Sequence, residues 1–99
     1  MKFDDFNLYV SDWVLQKIKM KEIDLTEIEE AFYNCNGVYI EETREEHKTK
    51  PPTYWFIAPT SDGRLLKVCF IPRYDLKFLT LKTAFDAEEK EINAYEDYF

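Results

Sequence analysis

Tyr54-Trp55-Phe56-Ile57-Ala58-Pro59-Thr60-Ser61-Asp62-Gly63-Arg64-Leu65-Leu66-Lys67-Val68-Cys69-Phe70-Ile71 is the stretch on which the fold turns. Tyr54 to Ala58 and Arg64 to Ile71 are apolar runs of strand length. The Asp62-Gly63 pair between them supplies a residue able to adopt positive φ. A second break at Pro72 to Asp75 precedes a third run, Lys77 to Ala84, so the three together predict an antiparallel meander. Along the second strand Leu66, Val68 and Phe70 share one face, and Leu65, Lys67, Cys69 and Ile71 the other. Along the third, Leu79, Leu81 and Thr83 alternate with Phe78, Thr80 and Lys82. The first set of each is expected to face helices. The second set puts Lys67, Lys82 and Thr80 on the opposite face, with two cations as neighbours across strands.

Helical patterns flank the meander. Ser11 is placed to cap a helix over Asp12 to about Lys21, with Val14, Ile18 and either Trp13 or Leu15 as its buried stripe. Asp24 and Glu27 have capping-box spacing, and Ile23 and Ile28 that of a hydrophobic staple. They open a second helix to about Tyr33 or Cys35, with Leu25, Ile28, Ala31 and Phe32 inward. Asn34, Asn36 and Gly37 stop it. Val38-Tyr39-Ile40 reads as a short strand, and the charged stretch Glu41 to Thr53, ending in Pro51-Pro52, as a long loop. Asp86, with Glu89 three residues on, is expected to cap a last helix with Ile92, Tyr95 and Phe99 on its apolar side and Glu88, Glu91 and Glu96 outward. Met1 to Val10 reads as either a short strand or a packed arm. The expected architecture is a single α+β domain over residues 1–99: two helices, a three- to four-stranded antiparallel sheet and a C-terminal helix.

The chain of 99 residues is 45% apolar and 17% aromatic, enough to build a core despite a net charge of −7. Cys35 and Cys69 have no partner at metal-ligand spacing and read as small buried hydrophobes in a reduced compartment. No segment has the pattern of a signal peptide or reaches membrane-spanning length, so a cytoplasmic location without membrane association is expected. The acidic total argues against a general nucleic-acid binder, but the charge is segregated. Residues 1–46 carry five cations against twelve acids and residues 86–99 one against six, whereas residues 47–85 hold seven cations against only Asp62 and Asp75. Those cations read as solvated strand residues and edge protectors, or as an anion-facing surface inside an acidic shell.

Gly-rich phosphate loops, nucleophile elbows and zinc patterns are absent from the sequence, and no metal or cofactor is expected. A set of cations, one imidazole and several tyrosines around a small sheet suits one metal-free reaction: cleavage of RNA by its own 2′-hydroxyl. That reaction needs a group to take the hydroxyl proton, cations for the charge building on the phosphate, and an acid for the leaving oxygen. His47 or Tyr95 could handle protons, and Arg64, Lys67 and Lys82 could hold phosphate. The loop adds Arg44, Lys48 and Lys50 as further phosphate-binding candidates.

Several short motifs carry a resemblance. Asp12-Trp13 opens the first helix, Glu29-Glu30-Ala31-Phe32 ends the second, and Thr43-Arg44 and His47 lie in the loop. Phe56-Ile57-Ala58 closes a strand, Gly63-Arg64 opens the next, and Ala94-Tyr95-Glu96 lies in the Glu-rich terminal helix. From about Asp12 to Glu96 this order resembles the BrnT family, small toxins of type II toxin–antitoxin modules similar in fold to RelE and ParE toxins. The resemblance implies a ribonuclease toxin inhibiting translation, with RNA or the ribosome as target. It also implies neutralisation by a cognate antitoxin of ribbon-helix-helix or helix-turn-helix type. Carried over by position, it points to Arg64, Lys82 and Tyr95. The family's Lys-His-Gly group is replaced by Lys19-Met20-Lys21-Glu22, and its arginine pair before the terminal tyrosine by Ile92-Asn93. The alternative expectation is a catalytically inactive protein-binding module of the same fold. The chain also resembles short bacterial chains labelled as ADP-ribosylhydrolases, but its sequence has no acidic metal site for that activity.

Overall fold

The computed structural model describes residues 3–98. Its helices begin where the capping chemistry places them. Ser11 accepts a hydrogen bond from the Val14 amide at 3.2 Å and starts α1 (Asp12–Met20). Asp24 and Glu27 form a reciprocal capping box at the start of α2 (Leu25–Asn34), satisfying amides that a helix leaves unpaired in its first turn. Val14 and Ile18 of α1, and Ile28, Ala31 and Phe32 of α2, are buried. Leu15 rather than Trp13 joins the α1 stripe, and Trp13 points outward.

Five strands form one mixed sheet in the order β1-β5-β4-β3-β2: β1 (Asn7–Tyr9), β2 (Ile40–Glu41), β3 (Tyr54–Pro59), β4 (Leu65–Arg73) and β5 (Phe78–Asp86). The antiparallel meander is β3-β4-β5. It is longer than expected. Pro72 stays within β4, beyond Phe70, the last β4 residue that β3 covers, where a missing amide hydrogen costs no bond to β3. The expectation of a wholly antiparallel sheet of three to four strands is corrected on both counts: there are five strands, and β1, a three-residue edge strand, runs parallel to β5. Before it, a 3-10 turn at Phe3–Asp5 stacks the Phe3 ring on Phe32 at 4.5 Å.

The sheet separates two layers. Phe56, Ala58, Leu66, Val68, Phe70, Leu79 and Leu81 face α1 and α2, and the Phe32 ring lies 4.9 Å from Phe56 and 5.3 Å from Phe70. On the other face lie the loop 42–53 and α3 (Glu89–Glu96), whose Tyr95 ring sits 5.7 Å from that of Trp55. Midway along β5 the register slips by one residue. Phe70 pairs with Leu81 but Cys69 with Thr83, leaving Lys82 as a bulge. The slip changes which residues point to the helices: Ala84, not Thr83, follows Leu81 into the core, and Thr83 joins Cys69 on the other face.

Two expectations at the C-terminal end are also corrected. Asp86 ends β5 paired to Leu66, and its carboxylate is bound by Arg64, so it does not cap the helix. Glu88 caps α3 instead, in a capping box with Glu91. Glu91 points inward rather than outward, and Phe99 lies outside the described residues.

Candidate functional site

The loop between β2 and β3 is closed at its neck and pinned at its tip. The Glu42 amide donates to the Thr53 carbonyl at 2.8 Å, and the Thr49 and Thr53 hydroxyls meet at 2.6 Å. At the tip, a 3-10 turn at Glu45–His47 brings the His47 carbonyl within 3.0 Å of Lys82 Nζ on the β5 bulge. A loop of this kind, with close ends and its own internal bonds, holds side chains in place without a regular element beneath them. The cis Lys50–Pro51 bond lies just before its return to β3.

Beneath the loop is a cavity of about 250 Å³ whose walls include Arg44, His47, Lys67 and Lys82, four of the residues expected from the sequence. Glu42, Thr53, Cys69, Thr83, Phe85 and Glu91 complete it. Strand alternation explains the floor. Lys67, Cys69, Thr83 and Phe85 belong to one face by their pairing, Lys67 opposite Phe85 and Cys69 opposite Thr83. Arg44 and His47 arrive from the loop, and Glu91 from the first turn of α3.

The electrostatics of the cavity are graded. Lys67 is only 7% exposed. Its ammonium lies 4.3 Å from the Trp55 ring centre and 5.6 Å from that of Phe85, and donates to Glu91 Oε2 at 3.1 Å. A cation this enclosed needs both ring faces and an anion to offset its lost hydration. Arg44 binds Glu42 through Nε and Nη2, each at 3.0 Å, and its amide bonds the same carboxylate at 3.0 Å. Those bonds hold the Glu42 carboxyl at about 2, well below the usual carboxylate range, against a smaller opposing effect of burial. Lys82 differs: it donates to a backbone carbonyl, and among the described residues it forms no ion pair. Three cations and two carboxylates therefore leave the cavity positive within an acidic chain. Burial pushes the Cys69 thiol up, against the pull of Lys67 and Lys82, which keeps it a neutral wall of the cavity.

The other candidates lie elsewhere. Arg64 sits on the helix side of the sheet, where Nε and Nη2 donate to Asp86 at 2.6 and 3.1 Å and Nη1 to Glu27 at 3.2 Å. Its guanidinium also reaches the Glu22 and Lys21 carbonyls at 2.8 and 3.2 Å. It thus ties the β4 entrance to the end of β5 and to the turn between α1 and α2. Tyr95 is buried behind Trp55, its hydroxyl 2.6 Å from the Val38 carbonyl and 3.2 Å from Asn36 Oδ1, and burial raises its pKa. Lys48 pairs with Glu45 at 3.3 Å, and with Lys50 it lines another hollow, formed by the loop's own residues together with Glu41.

Glu42 and Glu91 were missed as site residues. Glu91 was legible in part, because it precedes Tyr95 by four residues and so shares its face of α3. Among the described residues, no group of three or more His, Cys, Asp or Glu side chains is placed to hold a metal ion, and no helix is long and apolar enough to cross a membrane. No family model and no curated protein matches the chain.

Proposed function

We propose that this chain is a toxin-like component of a bacterial type II module: a metal-independent endoribonuclease of RelE-like fold that inhibits translation and is neutralised by a cognate antitoxin. The observation that carries the reading is the convergence of Arg44, His47, Lys67 and Lys82 on one cavity. Two helices ahead of the β3-β4-β5 meander and a helix behind it are compatible with the proposed fold.

In the proposed reaction, His47 takes the proton of a ribose 2′-hydroxyl. The 2′ oxygen bonds to the adjacent phosphorus as the bond from phosphorus to the 5′ oxygen breaks, and that oxygen leaves with a proton from Lys82 or water. Arg44, Lys67 and Lys82 hold the non-bridging oxygens while charge builds on them. The products are a 2′,3′-cyclic phosphate and a 5′-hydroxyl end. The target is cellular RNA, free or on the ribosome, so the cytoplasm is where the activity would act. The antitoxin is of ribbon-helix-helix or helix-turn-helix type.

Purified chain incubated with single-stranded RNA in chelator is expected to yield cyclic-phosphate ends. His47→Ala and Lys82→Ala are each expected to slow cleavage roughly hundredfold or more. Intact RNA with correctly folded protein, together with harmless overexpression, would sink the reading. The rival is a catalytically inactive protein-binding module of the same fold. It is favoured by α1, where Trp13 and Met20 are 66% and 85% exposed beside Lys17 and Lys21. It predicts a stable protein complex and no RNA affinity at low salt, whereas phosphate contacts give affinity that falls steeply with salt.

A further inference from the structure

We infer that the Glu91 carboxylate holds the place of a substrate phosphate, and that a single RNA strand enters by displacing it and so joins two hollows into one cleft. The inference rests on the nuclease reading of the site. Beside the cavity under the loop lies a second hollow of about 420 Å³, and the two share Glu42, Arg44, Lys67 and Glu91. The Lys67–Glu91 and Arg44–Glu42 pairs are therefore the partition between them. Enclosed by Trp55 and Phe85, Lys67 gives up Glu91 only at a cost unless another anion takes its place. A phosphodiester is such an anion.

The two carboxylates are not equally held. Glu42 accepts three bonds from Arg44. Glu91 gives Lys67 one oxygen, while its other oxygen accepts from the Glu88 amide at 3.1 Å as the cap of α3. Glu91 can thus release Lys67 and keep its helix capped. The second hollow also offers what a base needs once the phosphate is seated. Tyr98, 62% exposed, lies on its wall with Trp55, and an aromatic ring open to solvent is a stacking platform for any base.

The test is the affinity of the full chain for a fluorescent single-stranded RNA with 2′-O-methyl groups, which binds without being cut, measured for wild type, Glu91→Gln and Glu96→Gln. Glu91→Gln is expected to bind about tenfold tighter or more, since a carboxylate close to a bound phosphate opposes it strongly at a protein edge. Its salt dependence should steepen by up to about 0.7 in logarithmic slope, because no displaced carboxylate takes a cation back up as the phosphate seats on Lys67. Glu96→Gln, on the exposed side of the same helix, should match wild type. Where Glu91→Gln does not give the wild-type circular dichroism spectrum, Glu91→Asp replaces it, retracting the carboxylate by one methylene, with a smaller gain expected. RNA binding by wild type with no gain in the Glu91 variant overturns this inference alone. No binding by any of the proteins at low salt overturns it together with the nuclease reading.

Discussion

The two faces of the sheet are made from the same strands and solve different problems. On the α1/α2 side Phe56, Leu66, Val68, Phe70, Leu79 and Leu81 are at most 1% exposed, and at its rim Arg64 is fully bonded. On the other side the same strands present Lys67, Cys69 and Thr83 beneath a loop and α3, around a cavity. One face spends its residues on exclusion of water. The other holds charge in a partly dry place, where each cation needs a partner and an ionic ligand can compete for it. Cations on the two faces are therefore not equivalent: Arg64 has a full set of acceptors, whereas Lys82 has a single carbonyl.

The largest effect should come from breaking the apolar face. Phe70→Ala removes a ring, 1% exposed, that touches Phe32, Phe56 and Tyr39. A loss of about 3–5 kcal/mol is expected in denaturant unfolding, enough to leave a domain of this size marginal. Arg64→Ala should follow, at about 1 kcal/mol, because it unties β4 from Glu27, Asp86 and the turn carbonyls at once, while Asp86, 63% exposed, is rehydrated and Glu27 keeps its capping bond to Asp24. Under the proposed nuclease reading, RNA affinity per folded molecule will be unchanged in Arg64→Ala. A loss of RNA binding without a loss of stability would erase the contrast.

The expectation that Arg64 holds phosphate shows what the sequence can and cannot reveal. Caps, turns and alternation are local, so Ser11, the Asp24–Glu27 box and the three strands were readable from spacing alone. The basic character of residues 47–85 was readable too, and it led to Lys67 and Lys82. Partners supplied by the fold were not. The acceptors of Arg64 lie 22 to 43 residues away in the chain, and nothing local to Arg64 shows that its donors are already taken. The bulge at Lys82 was hidden for a similar reason: it exists only in the count of β5 residues against β4. The parallel docking of β1 rests on three residue pairs, too short a run to leave a pattern.

A third, smaller effect is a pH dependence at the loop, in addition to that of Asp86, whose carboxyl Arg64 lowers at the rim of the other face. The Glu42 carboxyl is held at about 2, chiefly by its hydrogen bonds to Arg44, against an ordinary value of 4.5. A carboxyl depressed by folding stabilises the native state fully above its unfolded value, and that contribution is lost as pH falls through the folded value. Wild type should therefore lose stability between about pH 4.5 and 2, and Glu42→Gln should remove part of that slope while lowering stability at neutral pH. Urea midpoints measured across that range check it. Parallel slopes for the two proteins would mean that the loop pair is not closed in solution.

The smallest expected change in stability is the most informative about the polar face. Lys82→Ala removes one bond, to the His47 carbonyl, from a partly exposed bulge, and no carboxylate is stranded. Stability should move by no more than about 0.5 kcal/mol. Yet Lys82 is the cavity cation without a carboxylate partner, so under the proposed nuclease reading the loss of RNA cleavage and binding should be as large as for any residue of the site. Lys67→Met reverses the pattern. It leaves Glu91 without its cation next to Trp55, and should cost stability as well as binding. A Lys82 variant that unfolds, or one that binds RNA as wild type does, would show that its bond to the loop serves the fold rather than a ligand.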